Sequence, residues 1–244
     1  MSFFFCTFVA VLGRQEMLEI WIDDDMSRCT AEEVARLLSL VSAQRREEAL
    51  KYKNIFHQYC CLRSWEMVGQ LVVRNRQSLS PEANEQEWRE TKWLYNEHGK
   101  PYIACGPYFS LSHCKEAIAV AISDRPVGID IESIRPAKEE LIARVMSEEE
   151  RRKVESVMCN VDGGMCNVES DRMFTRLWTQ KEAIVKAQGT GILSFEQLQR
   201  VLEENEMWEV ESVEKEKYIY SYAIEQAPSN SPKTKGERCR KLKE

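Results

Sequence analysis

Several things are scarce or missing in this sequence, and each absence narrows what the chain can be. There is no excess of positive charge: 34 Lys and Arg stand against 40 Asp and Glu, for a formal charge of −6. A dedicated nucleic-acid binder is usually basic, so no nucleic-acid partner is expected, and an anionic ligand must be met by a local cluster of cations. There is no apolar run of the roughly 20 residues needed to cross a bilayer, and Phe3 to Leu12 falls short of it. That run also lacks the basic start and small-residue cleavage site of a secretory signal. Residues 1–16 therefore read as an extension upstream of a start at Met17, or as a weak first strand. The nine cysteines include no CxxC pair and are odd in number, which points to reduced thiols in a cytoplasmic protein and not to a disulfide framework or a thiolate metal site. No P-loop is present.

What is there is enough apolar residue for a core, 43% of 244 residues, in one large domain or two modest ones. Leu18 to Ile22 reads as a strand. A helix over Ala31 to Ser42 would be capped by Ser27 or Thr30, and a charged helix start follows at Ala43 to Lys53. Phe56 to Arg74 has the apolar spacing of a longer helix. After a polar, turn-rich stretch come short strands around Ile103, Phe109–His113, Ala117–Ile122 and Val127–Ile131. A charged helix is expected over 137–157 and a further helix from about Asp171 to the glycines 189 and 191. Ser194 to Gln197 has the form of a capping box, and Trp208–Val213 and Tyr218–Ile224 alternate like strands. Met158–Val161 recurs as Met165–Val168 around Asp162-Gly163-Gly164, which reads as a surface-loop insertion. The tail from Ala227 is rich in Pro, Ser and Lys, a composition that favours disorder. Both halves run helix and then short strands, which hints at a duplication.

Chemistry concentrates in two places. In Val127-Gly128-Ile129-Asp130-Ile131-Glu132 the isoleucines alternate with the acids, so an extended chain sends both carboxylates to one face. Two acids on one face repel unless a cation or proton lies between them, and oxygen ligands of this kind suit Mg2+. The plainer reading is a solvated strand face. Downstream, Trp178, Glu182 and Lys186 are spaced by four, so a helix lines them up along one face. The plainer reading there is an exposed Glu–Lys pair, which contributes little.

Together these stretches resemble the 4'-phosphopantetheinyl transferase superfamily, in its larger, surfactin-activating type. The resemblance rests on Val127–Glu132, on Trp178-Thr179-Gln180-Lys181-Glu182-Ala183-Ile184-Val185-Lys186, on Glu97-His98-Gly99-Lys100-Pro101-Tyr102 and on Phe109-Ser110-Leu111-Ser112-His113. It is close over 95–193 and loose elsewhere. Asp130 and Glu182 lie 52 positions apart (182 − 130), longer than is usual in the family, and the seven-residue copy at 158–168 accounts for the excess. The resemblance implies an α+β fold, a pseudo-twofold duplication of a small α/β unit with the active site between the halves. Its parts would be an N-terminal half over 17–125, a C-terminal half over 126–226 carrying the metal site, and a disordered tail over 227–244.

The implied reaction moves the 4'-phosphopantetheine arm of coenzyme A to a serine of an apo acyl or peptidyl carrier protein and releases 3',5'-ADP. Asp130, Glu132 and Glu182 would hold Mg2+, Glu182 or (through a water) Glu132 would act as base, and Lys186 would neutralise the pyrophosphate or protonate the departing oxygen. Lys100, Ser112, His113 and Arg45 would contact the 3'-phosphate of coenzyme A. Arg63 is a weaker candidate for that group, and Lys181 would support the helix or bind phosphate at its edge. Glu48 stands where a basic residue is frequent. A cytoplasmic monomer is expected, because one chain holds both halves. The alternatives are another Mg2+-dependent enzyme that cleaves a pyrophosphate, or a carrier-binding relative without activity.

Overall fold

A computed structural model describes residues 17–77, 93–104, 106–157, 159–161, 164–166, 168–191, 194–204 and 206–227. The expectations for residues 1–16, for the stretch 78–92 and for the tail beyond 227 lie outside them. The first half begins with β1 (Leu18–Asp23) and continues through α1 (Ala31–Leu38), α2 (Ala43–Leu50) and the long α3 (Ile55–Gln77). A short hairpin, β2 (Leu94–Tyr95) and β3 (Pro101–Tyr102), leads to β4 (Tyr108–His113) and β5 (Ile118–Ser123). The expected helix over 31–42 is shorter, because Ser42 turns extended and caps α2 by accepting from Arg45 N. Thr30, not Ser27, caps α1, accepting from Glu33 N.

The second half runs β6 (Val127–Ser133), α4 (Glu139–Val145), α5 (Glu148–Ser156), a hairpin of β7 (Cys159–Val161) and β8 (Gly164–Cys166), α6 (Val168–Gln188), α7 (Phe195–Arg200), β9 (Trp208–Glu214) and β10 (Tyr218–Glu225). The single helix expected over 137–157 is two. Met146 is extended and Ser147 opens a capping box with Glu150, so the chain restarts its helix there. Within the duplicated segment β7 and β8 pair as a hairpin, with Cys159 opposite Cys166. The capping box at Ser194 and Gln197 forms as expected.

Each half builds an antiparallel three-stranded sheet, and the connection is the same in both. The order β1-β5-β4 places the first strand of the half beside its last, and the order β6-β10-β9 does so again. One long helix, α3 or α6, lies between the first strand and the last pair in sequence. The two sheets thus repeat one strand order.

Strand parity decides where the core sits. On β5, Ile118, Val120 and Ile122 face α3 together with Phe109, Leu62, Val68 and Leu71. The alternate residues, Ala119 and Ala121, face the second sheet, where Ile129, Ile131, Tyr220 and Tyr222 meet them. Small alanines on one sheet against large side chains on the other let the two sheets approach. A third cluster joins α6, through Ala183, Ile184 and Ala187, to α4, α5 and α7.

Candidate functional site

The site forms where the two sheets meet, and β6 is its floor. Ile129 and Ile131 are fully buried between the sheets, so Gly128, Asp130 and Glu132 point the other way, onto α6. Gly128 is required by that contact. A Cβ there would come within 2.0 Å of Ala183 O and 2.4 Å of Ala187 N, both backbone atoms of α6. Strand and helix thus touch backbone to backbone, and the stripe of Trp178, Glu182 and Lys186 is laid beside the acids.

The other wall comes from the first half. On β4, Phe109 and Leu111 pack toward α3, which turns Ser110 and Ser112 toward β6. Ser110 Oγ accepts from Ile129 N at 3.0 Å. Ser112 Oγ donates to Asp130 Oδ1 at 2.9 Å. Lys186 Nζ donates to the same Asp130 oxygen at 2.6 Å and to Ser112 Oγ at 2.8 Å. A smaller cleft of about 410 Å3 is lined by Leu111, Ser112, His113, Asp130, Glu132, Trp178, Glu182 and Lys186. The three acids of the two sequence motifs therefore share one pocket with Lys186.

Their electrostatics follow from that crowding. Burial pushes the Glu182 carboxyl above the usual carboxylate range, neighbouring Asp130 pushes it further, and Lys186 opposes both. Glu132 is raised in the same way, by burial and then by Asp130, against Arg135, Lys186 and a hydrogen bond with Trp178. Asp130 is 4% exposed, and its Oδ2 is buried without a hydrogen-bond partner among the described residues. Among the described residues no three His, Cys, Asp or Glu side chains converge as a ready metal cage. The donor set nevertheless fits a hard divalent cation: three carboxylates on one cleft, one with an unmatched oxygen, two made reluctant to ionise by burial and by Asp130.

A larger cleft of about 480 Å3 adjoins the first along Leu111, Glu182 and Lys186 and extends over Arg45, Trp65, Tyr95, His98, Lys100 and Phe109. Arg45 lies over the Trp65 ring at 3.9 Å and 5.4 Å from the Tyr95 centroid. It is 7% exposed, and among the described residues its Nε and Nη2 have no hydrogen-bond partner. A desolvated guanidinium with idle donors is costly, and an anion entering the cleft would satisfy it. His113 stands at the mouth of the smaller cleft with its outer edge open to solvent, 6.3 Å from the Phe56 ring.

Two of the expected ligands lie elsewhere. Arg63 is 1% exposed inside α3, with Nε donating to Asp23 Oδ2 and Nη1 to Glu66 Oε2, both at 2.5 Å. Those carboxylates compensate its charge, and it lines neither cleft. Lys181 is fully buried behind α6, paired with Glu150 at 2.7 Å and donating to Val145 O and Leu198 O. That is the helix-supporting role, and the phosphate-binding one is closed to it. Lys100 reaches the cleft wall, but its ammonium donates to Val127 O, Lys186 O and Ala187 O. Glu48 is exposed and pairs with Lys51. Trp65 and Tyr95 line the larger cleft without having been singled out, and Asn96 braces the loop that carries Lys100. Asn96 carried a signal, standing just before Glu97-His98-Gly99, whereas nothing local marks Trp65 as a cleft residue.

The chain is similar to known proteins over much of its length. The family model described as the 4'-phosphopantetheinyl transferase superfamily matches residues 126–232. The matched stretch holds both the strand of Asp130 and Glu132 and the helix of Glu182 and Lys186. Among the chain's relatives, 4'-phosphopantetheinyl transferase ffp of Bacillus subtilis is 29% identical over 175 residues, 71% of this chain and 70% of the relative. The 4'-phosphopantetheinyl transferase gsp of Aneurinibacillus migulanus is 32% identical over 159 residues, covering 64% and 59%. AcpT of Salmonella typhi, also a 4'-phosphopantetheinyl transferase, is 35% identical over 105 residues, covering 39% and 48%. No helix among the described residues is long and apolar enough to cross a membrane.

Proposed function

We propose that this chain transfers the 4'-phosphopantetheine arm of coenzyme A to a serine of an apo acyl or peptidyl carrier protein. The observation that supports it is the meeting of Asp130, Glu132, Glu182 and Lys186 in one cleft, beside a second cleft that holds an unpaired guanidinium. The serine oxygen attacks the β-phosphorus of coenzyme A, the bond from that phosphorus to the bridging oxygen breaks, and 3',5'-ADP departs. Phosphoryl transfer of this kind needs positioning and charge neutralisation more than covalent help from the protein.

Glu182, or Glu132 through a water, takes the serine proton. Lys186, already drawn to Asp130 and Ser112, is placed to offset charge on the departing oxygen. Asp130, Glu132 and Glu182 would hold Mg2+, which polarises the pyrophosphate when bound. His113, Ser112 and Arg45 form the polar side facing the 3'-phosphate, with Trp65 and Tyr95 bounding the cleft around Arg45. The enzyme is read as a cytoplasmic monomer.

The test is incubation with coenzyme A, Mg2+ and the host's own apo-carriers, read by the intact mass of the carrier. A gain of one phosphopantetheine is expected, absent with Glu182→Gln although that variant still binds coenzyme A. No gain on any carrier, with coenzyme A bound, would favour a carrier-binding relative without activity.

A further inference from the structure

We propose that Lys100 is a positioning residue that fastens the catalytic helix to the metal-site strand, and not a ligand of the coenzyme A 3'-phosphate. This rests on the transferase reading of the site. An α-helix leaves its last carbonyls without intrahelical partners, and α6 ends at Gln188, just beyond Lys186. Lys100 Nζ donates to two of those carbonyls, Lys186 O at 2.5 Å and Ala187 O at 3.1 Å. Its third contact is Val127 O at 3.3 Å, at the start of β6 and three residues before Asp130. An ammonium has three donors and no acceptor. All three are engaged, and none remains for a phosphate.

The loop that delivers Lys100 is built for the task. Asn96 Oδ1 accepts from His98 N at 3.0 Å and from Lys100 N at 2.8 Å, which closes the turn. Gly99 takes φ +82°, a left-handed conformation that glycine adopts without a Cβ penalty. Asn96 Nδ2 then donates to Gly189 O at 2.8 Å, so a third carbonyl at the end of α6 is met by the same loop. A cation at a helix C-terminus is also favoured by the helix dipole. One loop of the first half therefore holds the end of α6 and the start of β6 together. Gly128 lets the two elements touch, and Lys100 keeps them from sliding. The Asp130–Lys186 contact and the placing of Glu182 depend on that register.

The experiment compares the full chain with Lys100→Met, which keeps the stem and loses the donors, and with Lys100→Arg, which keeps donors. Transfer to one apo-carrier is followed with coenzyme A and with 3'-dephospho-coenzyme A, well below the melting temperature. Expected for Lys100→Met is a kcat lower by up to about 100-fold with both donors, the ratio of their KM values unchanged, and partial recovery of kcat in Lys100→Arg. A KM that rises for coenzyme A alone would make Lys100 a phosphate ligand and overturn the proposal. A lowered melting temperature with kcat intact would reduce it to a structural tie and overturn it equally. Hydrogen exchange gives a readout that does not need turnover: in Lys100→Met the amides at the end of α6 and the start of β6 should exchange faster while the first sheet stays protected. Unchanged exchange there overturns the proposal even if the wild-type protein transfers nothing, which would be the separate failure of the transferase reading.

Discussion

At the scale of the residue, His113 shows how a site sets its own pH response. Burial, then Lys186 and His57, hold its imidazole below the ordinary histidine range, and Asp130 opposes them. Below that lowered value the ring is charged and can meet a phosphate, and above it the ring is neutral. A bound phosphate favours the charged form, so binding takes up a proton and affinity must rise as pH falls. Coenzyme A should therefore bind more tightly at pH 6 than at pH 8, 3'-dephospho-coenzyme A should show less of that trend, and His113→Ala should flatten it. Titration calorimetry in buffers of different ionisation heat measures the proton uptake directly. An equal pH slope for both ligands would remove His113 from the phosphate. The lesson of Arg63 lies at the same scale. Its place in the helix was readable, but a cation on a helix face says nothing about which carboxylates fold against it, and Asp23 lies 40 residues away in the chain.

At the scale of the element, α6 is held from behind as well as from its end. Lys181 Nζ pairs with Glu150 of α5 and donates to carbonyls of α4 and α7, so one buried ammonium ties three helices to α6. Glu150 Oε2 serves twice, since it also accepts from Ser147 N in the α5 capping box. Lys181 and Glu150 are 0% and 5% exposed at their side chains. Removing one partner of such a pair leaves the other charge buried alone, at a cost of about 3–5 kcal/mol. Lys181→Met should lower the unfolding free energy by that order in urea, and adding Glu150→Leu should recover a large part of it. A double variant no better than the single one would show that the pair's charge is not what α6 depends on. The sequence already placed Glu182 and Lys186 on one face and Lys181 off it, because five positions along a helix turn a side chain well away from its neighbour. Which of the two lysines would be buried was a matter for α4, α5 and α7.

At the scale of the whole molecule, the two halves are not separable modules. The inner faces of the sheets form one cluster, with Ala119 and Ala121 from the first half on Ile129, Ile131 and Tyr220 from the second. Tyr218 Oη donates to Asp24 across the same seam at 3.0 Å. The cleft takes Ser112, His113 and Arg45 from one half and Asp130, Glu132, Glu182 and Lys186 from the other. A chain cut to residues 126–226 would expose the apolar face of β6 and β10. It should aggregate or remain unfolded and bind no coenzyme A, and co-expression with residues 17–125 should restore a soluble, ligand-binding complex. Circular dichroism and a coenzyme A titration decide it, and a stably folded 126–226 fragment would contradict the shared core.

What the sequence determined by itself was local and periodic. The alternation in Val127–Glu132 settles that the acids share a face, the spacing of Trp178, Glu182 and Lys186 settles theirs, and Ser194 with Gln197 announces a helix start. These follow from bond geometry within a few residues, which no distant contact needs to supply. The tertiary structure decided everything that depends on what stands opposite: that Gly128 is where strand and helix backbones touch, that Asp130 meets Lys186 and Ser112, and that Arg63 and Lys181 are compensated in the interior. A side chain's type and position limit the partners it can take, but only the packing of elements distant in the chain selects one of them.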